Sequence, residues 1–358
     1  MPPPFVVALL DRALRRSVPL LLGLLLSGCA SLDYYAQLGR GQLALLQARE
    51  PVSQVLADPR RDPALKRRLA LAQQAREFAS AHLALPDNHS YRLYADLGRP
   101  YVVWNVFATP ELSLAPLTHC FPVAGCVAYR GFYAQGRARG AAALLREEGL
   151  DTYVAGIEAY STLGWFADPL LNTMLRWDDE RLAAVIFHEL AHQKLYVPDD
   201  TAFNESFASF VEQEGLRQWR ASRGLPAQDE RQQRQRQQFT TLVLASRARL
   251  DSLYASPLAD EQKRTGKAAE FERLRRDYRQ LRDREWAGDR RYDTWVEGPL
   301  NNAKLLPFGL YDQWVPAFAA LFRQADGAWP AFYERAARLG ELAPEPRNQA
   351  LAALAAGG

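Results

Sequence analysis

The chain has 358 residues, of which 48% are hydrophobic and 11% aromatic, and its formal net charge is +3. These values are typical of a folded protein with a sizeable core and exclude a largely disordered chain. A charge so close to balance gives no basis for nucleic-acid binding, so we expect no nucleic-acid partner.

Residues 1–28 predict a lipoprotein signal peptide. Arg12, Arg15 and Arg16 precede an apolar run over residues 18–26 that is too short to span a bilayer comfortably. The run ends in Leu-Ser-Gly-Cys, and this motif resembles the bacterial lipobox, whose cysteine becomes the first mature residue and carries lipid. By that resemblance Cys29 is the lipidation site.

The residue after the lipobox cysteine is Ala30, which by the same resemblance points to the outer membrane. We therefore expect the mature chain in the periplasm of the bacterial cell envelope, held to the membrane by acyl chains. An ordinary secretory signal or an N-terminal membrane anchor would also explain the pattern.

Two further cysteines, Cys120 and Cys126, are separated by five residues. Because the periplasm is oxidising, this close pair predicts a small disulfide loop. The alternative is a second metal site formed by His119 and both cysteines, but their spacing is not typical of zinc sites.

The chain after Cys29 divides into four predicted parts. Residues 29–90 carry apolar residues three and four apart and predict an N-terminal helical segment. Residues 91–224 predict a catalytic core, in which short β-branched and aromatic strands precede two helices. Residues 225–291 are rich in Arg, Gln, Glu and Asp and predict a charged helical hairpin, broken near Pro257, whose charges form a solvated face. Residues 292–358 predict a C-terminal helical segment that completes the active-site cleft of the catalytic core.

The apolar stretch of residues 182–197 contains His188, Glu189 and His192 in the pattern H-E-x-x-H, on a predicted helix that Asp178 or Asp179 caps and that ends by about Tyr196. Residues four apart lie on one helix face, so both imidazoles can reach one zinc ion, and Glu189 can act as general base toward a water molecule. The alternative is a pair of satisfied core histidines, but bare His and Glu side chains are costly in an apolar helix. The motif therefore predicts a zinc hydrolase, and a peptidase above other hydrolases.

Catalytic zinc usually takes three protein ligands. The segment around Glu205 resembles the N-E segment that supplies the third ligand in zinc aminopeptidases and in thermolysin-like enzymes. On that resemblance Glu205 completes the set, although only twelve residues separate it from His192. Glu212, two turns further along the same face, is the second candidate. Candidates to orient the ligands are Asp200, Asn204 and Ser209.

Residues 156–164 are a candidate edge strand. In H-E-x-x-H peptidases an edge strand lies beside the site and pairs with the substrate backbone, and the resemblance implies the same here, with Tyr160 as a substrate-binding residue. An ordinary core strand explains the stretch equally well. In the C-terminal segment, Tyr311 is a catalytic candidate that could steady an oxyanion, and Asn301 and Asn302 could bind substrate. Packing and capping are the alternative roles of these three residues.

Several long blocks resemble one family: the lipobox, CFPVAGCVAYRGF, AYSTLGWFADPLL, VIFHELAHQKLYVPDDTAFNESFASFVEQEG and GPLNNAKLLPFGLY. In this order they resemble the bacterial lipoprotein family of predicted aminopeptidases over most of the mature chain. The resemblance implies a gluzincin-type metallopeptidase with one zinc ion and a peptide substrate. The expected fold is α+β and helix-rich, with a zincin-like core, a small sheet and a long charged helical second half.

The resemblance favours an aminopeptidase. The chain lacks an obvious G-x-M-E-N segment of the kind that binds a substrate amino terminus in related enzymes, but Glu158, in GIEAY, lies at a comparable distance ahead of the metal-binding helix and could replace it. A packing or surface role is the alternative for Glu158. Two other hypotheses remain: an envelope endopeptidase with the same chemistry, and a non-catalytic lipoprotein whose metal braces the fold.

Overall fold

The computed structural model describes residues 32–121, 125–159, 161–226, 230–308 and 313–357. The predicted signal peptide with Cys29 and the predicted site residues Tyr160 and Tyr311 lie outside these ranges. The chain forms two compact units, Met1–Ala48 and Arg49–Gly358. The described part of the first unit contains helix α1 over residues 32–47.

The second unit carries the remaining elements. Its helices are α2 (Val52–Ala57), α3 (Pro63–His82), α4 (Gln135–Glu147), α5 (Asp179–Lys194), α6 (Thr201–Ser222), α7 (Glu230–Ala255), α8 (Asp260–Arg284), α9 (Asp293–Glu297), α10 (Asn302–Leu305), α11 (Val315–Gln324), α12 (Trp329–Gly340) and α13 (Pro344–Ala356). Its strands are β1 (Arg49–Pro51), β2 (Leu93–Ala95), β3 (Val103–Pro110), β4 (His119–Phe121), β5 (Gly125–Val127), β6 (Tyr129–Phe132), β7 (Leu150–Ile157) and β8 (Leu170–Leu171).

The strands form three small sheets with the orders β1-β2-β8, β6-β3-β7 and β4-β5. The pairing of β2 with β8 is parallel, and the other pairs are antiparallel. The longest strands, β3 and β7, pair along their whole length from Val103 with Ile157 to Pro110 with Leu150. The prediction of a helix-rich α+β fold is confirmed, and the β structure is divided among several short sheets.

Helices α5 and α6 pack against each other and against α3. Phe78 of α3, Phe187 of α5 and Trp219 of α6 meet with ring centroids 5.2–6.4 Å apart. Gly215 lets α6 approach closely, because a Cβ there would lie 2.8 Å from the Leu83 side chain and 3.1 Å from Phe187. Since packed interiors tolerate little displacement, this contact fixes the distance between α5 and α6.

A second aromatic cluster holds α6 from its other side. Phe207 packs against Phe318 of α11 and Phe332 of α12, with centroids 5.6 and 5.9 Å away. All three rings are completely buried. Aromatic contacts of this kind contribute about 0.5–1.5 kcal/mol each beyond the area they bury. Helix α6 is therefore clamped between two rigid layers.

Helices α7 and α8 form the predicted charged hairpin, and the break at Pro257 falls between them. Its inner faces bury Phe239, Leu250 and Leu274 in a core of their own. Across the hairpin, Arg249 pairs with Glu270 at 2.8 Å. Among the described residues, no helix combines the length and apolarity needed to cross a membrane.

Candidate metal centre

Helix α5 begins at Asp178, whose side chain accepts a hydrogen bond from the Arg181 N–H at 2.8 Å. Acidic residues follow in the first turn, where the helix dipole favours negative charge. Apolar residues such as Ile186 and Leu190 are completely buried. The H-E-x-x-H residues are therefore presented by a helix whose start and rotation about its axis are both fixed.

The connection between α5 and α6 is closed by Asn204. Its Oδ1 accepts from the Val197 N–H and its Nδ2 donates to the Val197 carbonyl, both at 2.7 Å. Asp200 then caps α6 by accepting from the Phe203 N–H at 2.9 Å, and buried Arg347 pairs with Asp200 at 2.8 Å. These bonds return the start of α6 to the histidines of α5 in spite of the short connection.

Three side chains converge between α5 and α6. The Nε2 atoms of His188 and His192 lie 3.2 Å apart, and Oε2 of Glu205 lies 3.3 Å from the first and 3.7 Å from the second. A tetrahedral zinc ion with bonds of about 2.0–2.1 Å holds its ligand atoms about 3.3 Å apart. The three atoms are therefore spaced as the ligands of one metal ion are.

The state of Glu205 fits the same role. Its Oε2 atom is buried and has no hydrogen-bond partner among the described residues. Burial raises the pKa of Glu205, but the imidazoles of His188 and His192 outweigh burial and lower the pKa to about 2. Glu205 is thus a buried anion whose only near polar neighbours among the described residues are the two imidazole Nε2 atoms, and a cation between the three groups would satisfy it.

Glu212 contacts the opposite side of the His188 ring. The His188 Nδ1 atom lies 2.9 Å from Oε2 of Glu212. A carboxylate only accepts, so Nδ1 carries a proton and donates it, which leaves Nε2 as the nitrogen that faces His192 and Glu205. Burial raises the pKa of Glu212, but the hydrogen bond from His188 and the nearby positive charges together outweigh burial and lower the pKa. Glu212, the second candidate for third ligand, therefore contacts His188 on the side away from the three converging atoms.

Glu189 lies beside the two histidines on α5 and is partly buried. Burial raises its pKa above the usual value, although the charges of His188 and His192 oppose the rise. A raised pKa suits a carboxylate that must take up a proton and release it again. Tyr91, which is 1% exposed, lies near enough that the charge of Glu189 adds to burial in raising the pKa of the phenol. Tyr91 belongs to no recognisable sequence motif, so the sequence did not identify it as a site residue.

The outer edge of β7 offers unpaired backbone groups. The carbonyl of Ala108 in β3 accepts from the Leu117 N–H at 2.8 Å, so Ala108 and its partner Thr152 in β7 point away from each other. The Thr152 carbonyl accepts instead from Nδ2 of Asn301 at 2.9 Å. By the alternation of a strand, the N–H and C=O groups of Val154 and Gly156 also face outward.

This edge extends only to Ile157, so most of the strand predicted over residues 156–164 is a loop. Asp168, 2% exposed, shapes that loop by accepting from the Thr162 N–H at 3.0 Å and the Thr162 Oγ1 at 2.7 Å. Buried carboxylates with several local donors favour such loops, and the sequence spacing does not reveal them. The loop returns to α5, because a Cβ on Gly164 would lie 3.1 Å from Gln193, the neighbour of His192.

Glu158 follows the last residue of β7. Its Oε2 atom accepts from Trp177 Nε1 at 2.7 Å and pairs with Arg181 at 3.2 Å, and its side chain is 28% exposed. Arg181 is seven residues before His188 on α5, which is about two helical turns. The Glu158 carboxylate therefore lies at the N-terminal end of the metal-binding helix and reaches solvent.

The two asparagines predicted to bind substrate form hydrogen bonds within the protein. The Asn301 side chain accepts from the Lys304 N–H at 3.0 Å and caps α10. Asn302 is 0% exposed, and its Nδ2 donates to the carbonyls of Glu111 and Ser113 at 2.9 and 3.0 Å. A fully buried amide with these partners does not meet substrate, so the substrate-binding prediction for Asn302 is corrected to a structural role.

Cys120 and Cys126 are joined by a disulfide across the β4–β5 hairpin, where they pair in register. A Cβ on Gly125 would lie 2.4 Å from Oδ1 of Asp199. Asp199 belongs to the connection between α5 and α6 and has a left-handed backbone, with φ of 61°. The cysteines therefore brace a hairpin that packs on the turn beside the three converging side chains, and they do not form a second metal site with His119.

The chain was compared with known protein families. The family described as "Putative aminopeptidase" matches residues 33–351, which include all the residues of the candidate centre. No curated protein and no solved structure matches the chain.

Proposed function

The chain belongs to the putative aminopeptidase family, and on that basis we propose that it is a zinc-dependent aminopeptidase. Membership supports peptidase activity; the metal and the exopeptidase specificity are our inference. The single observation that carries the inference is the convergence of His188, His192 and Glu205 at 3.2–3.7 Å beside Glu189. Two imidazoles, one carboxylate and a neighbouring carboxylate base are the donor set of catalytic zinc in peptidases.

In this proposal His188, His192 and Glu205 hold one Zn²⁺ ion. When bound, zinc polarises a carbonyl oxygen and lowers the pKa of water. The Glu189 carboxylate accepts a proton from the attacking water molecule and returns it to the amine that leaves. Glu212 keeps His188 in the tautomer and orientation that a ligand requires.

The peptide is proposed to pair with the outer edge of β7. Val154 and Gly156 present outward N–H and C=O groups, and an extended peptide can continue the sheet through them. Gly156 is required at this place, because a Cβ would lie 2.5 Å from the ring of Tyr101. Glu158 follows directly, so its carboxylate is the group proposed to receive the substrate's amino terminus.

We further propose that the chain is a lipoprotein of the outer membrane, anchored through Cys29 and facing the periplasm. The lipobox-like sequence that ends at Cys29 supports the anchor. The disulfide between Cys120 and Cys126 supports an oxidising compartment. Labelling with a radioactive fatty acid tests the anchor, because Cys29→Ser should abolish incorporation while a wild-type chain is labelled.

The enzymatic proposal is tested with the full chain loaded with zinc. Aminoacyl reporter substrates and matched N-acetylated peptides are compared, with Glu189→Gln as the inactive control. Hydrolysis of the free-amine substrates alone supports an aminopeptidase, and cleavage inside the blocked peptides identifies an endopeptidase. Zinc binding at one equivalent without hydrolysis of either set would refute both and leave the metal a bracing role.

A further inference from the structure

A cavity of about 650 Å³ lies between α6, α7 and the residues that lead into α11. This is within the range of about 300–1,000 Å³ that is common for small-molecule sites. Arg236, Thr240 and Arg247 line its α7 side at helical spacing, and Gln213 and Gln313 face them from α6 and from the approach to α11. The cavity is thus surrounded by hydrogen-bond donors.

The charge of this cavity is positive. Two arginines line it, and no carboxylate is among its lining residues. Arg236 is exposed and has no ion pair or hydrogen bond with any residue in the described part of the chain. Arg247 donates to the Phe308 carbonyl, which is neutral. Among the described residues neither Arg236 nor Arg247 forms an ion pair, whereas Arg249 on the same hairpin is paired with Glu270.

The cavity adjoins the candidate metal centre through α6. Gln213 follows Glu212, whose carboxylate accepts the proton of His188 Nδ1. Arg236 lines the same cavity as Gln213. A group bound at the Arg236 end of the cavity is therefore only a few residues of extended peptide from the reacting bond.

An aminopeptidase removes one residue at a time, so the remainder of the peptide lies on the leaving-group side. Resting on the peptidase function above, we propose that this cavity binds the carboxylate of a short peptide on that side, with Arg236 as its anchor. A guanidinium binds a carboxylate through two parallel hydrogen bonds, a geometry that lysine does not reproduce. The substrates that follow from this site are short peptides that carry a carboxylate near the cleaved bond.

The test compares alanine peptides of two to six residues as free acids and as C-terminal amides, by kcat/KM with the zinc-loaded full chain. The wild-type protein should prefer the acid by about ten-fold or more, as expected for one charge-assisted pair, and most strongly at one length. Arg236→Gln should bring the ratio close to one, and Arg236→Lys should keep part of it. The matched control is Arg234→Gln, which makes the same charge change on α7 outside this cavity and should keep the wild-type ratio.

Amidated peptides that end in aspartate distinguish a side-chain carboxylate from the C-terminal carboxylate as the group that binds Arg236. Recovery of the full rate with these peptides supports a side-chain carboxylate at Arg236, and no recovery supports the C-terminal one. Equal rates for acids and amides at every length would overturn the site, as would a preference that Arg236→Gln leaves intact. If no unblocked peptide were hydrolysed at all, the peptidase function itself would be overturned. That outcome differs from a failure of the cavity proposal alone, in which acids and amides are hydrolysed at equal rates.

Discussion

The Nδ1 atom of His188 donates a hydrogen bond of 2.9 Å to Oε2 of Glu212, and this bond decides which nitrogen of His188 can bind a metal. Because Nδ1 is engaged with Glu212, Nε2 is the nitrogen that could bind a metal, and it is the atom that lies near His192 and Glu205. A sequence pattern assigns residues to a site, but it does not distinguish a ligand from the carboxylate that orients one.

The first prediction concerns Glu212. Glu212→Ala should weaken zinc binding by about 10–100-fold, because His188 loses the acceptor that fixes its tautomer. Glu212→Gln should lose less, since its amide oxygen still accepts. Zinc affinity is measured by competition with a chromophoric chelator. Glu214→Gln, on the same helix but paired with Arg217, is the matched control and should bind zinc as wild type does.

The second prediction concerns Glu189. Glu189→Gln should keep one equivalent of zinc, because the three ligand side chains are untouched. It should lose about 10²–10⁴-fold in kcat, since the amide cannot accept a proton. The measurements are metal content by mass spectrometry and steady-state kinetics. Hydrolysis at the wild-type rate by the zinc-loaded variant would remove Glu189 from the mechanism.

The third prediction concerns metal removal. A metal that binds only the folded state stabilises it, by about 4 kcal/mol when the free ion is at a thousand times its Kd. EDTA should therefore lower the Tm of the wild-type protein, and zinc should restore it. His188→Ala is the control, and its Tm should respond to neither addition. A wild-type Tm that ignores both additions would contradict metal binding at the centre.

The fourth prediction concerns the turn between α5 and α6. Asn204→Ala should destabilise the fold by about 1–3 kcal/mol, because it strands the buried N–H of Val197 and leaves the Val197 carbonyl only the Asp200 N–H at 3.4 Å. Asn204→Asp can still accept from the N–H but has no donor for the carbonyl, so it should be intermediate or worse. Urea unfolding measures the loss. A change below about 0.5 kcal/mol, the scale of ordinary surface substitutions, would show that the turn is held by other contacts.

The fifth prediction concerns pH and the helical hairpin. Hydrogen bonds from Tyr278 and Arg290, together with one from Arg282, lower the pKa of Asp293 from 3.8 to about 2. A lowered folded-state pKa stabilises the protein above the unfolded pKa, and this stability is lost as the pH falls toward the folded value. Wild type should therefore exceed Asp293→Asn in unfolding free energy above about pH 4, and the difference should shrink toward pH 2.

The control for this pH experiment is Asp277→Asn. Asp277 pairs with Arg273 at 3.5 Å on the surface of the same hairpin, and surface pairs contribute little to stability. Its unfolding free energy should follow that of wild type across the pH range. A pH-independent gap between wild type and Asp293→Asn would mean that the role of Asp293 is packing rather than charge.

Periodicity and capping were sufficient to predict the long helices. Asp178 and Asp200 begin α5 and α6 as their residue types indicate, and the break at Pro257 separates α7 from α8. These predictions succeeded because their causes are local: an N-cap, a helix dipole and a residue that cannot continue a helix. The same locality predicted the face that carries His188 and His192.

The failures arose where long-range contacts decide. From the sequence, Asn302 is a polar residue that could bind substrate. In the structure its Nδ2 donates hydrogen bonds to three carbonyls far away in the sequence, and the residue is completely buried. The stretch after Ile157 has the composition of a strand. In the structure Thr162 donates hydrogen bonds to the buried carboxylate of Asp168, and these bonds stabilise a loop instead. Burial and hydrogen bonds between residues far apart in the sequence produce no periodic pattern of residue types. Neither outcome could therefore be predicted from the sequence.

The bonds between Asn204 and Val197 also bear on how the proposed metal ion would bind. They tie the start of α6 to the end of α5, so contacts within the chain that need no cation help to bring His188, His192 and Glu205 together. No hinge has to close around the incoming ion. We therefore expect folding to be complete in the apo protein, with uptake governed by solvent access and by release of the histidine proton.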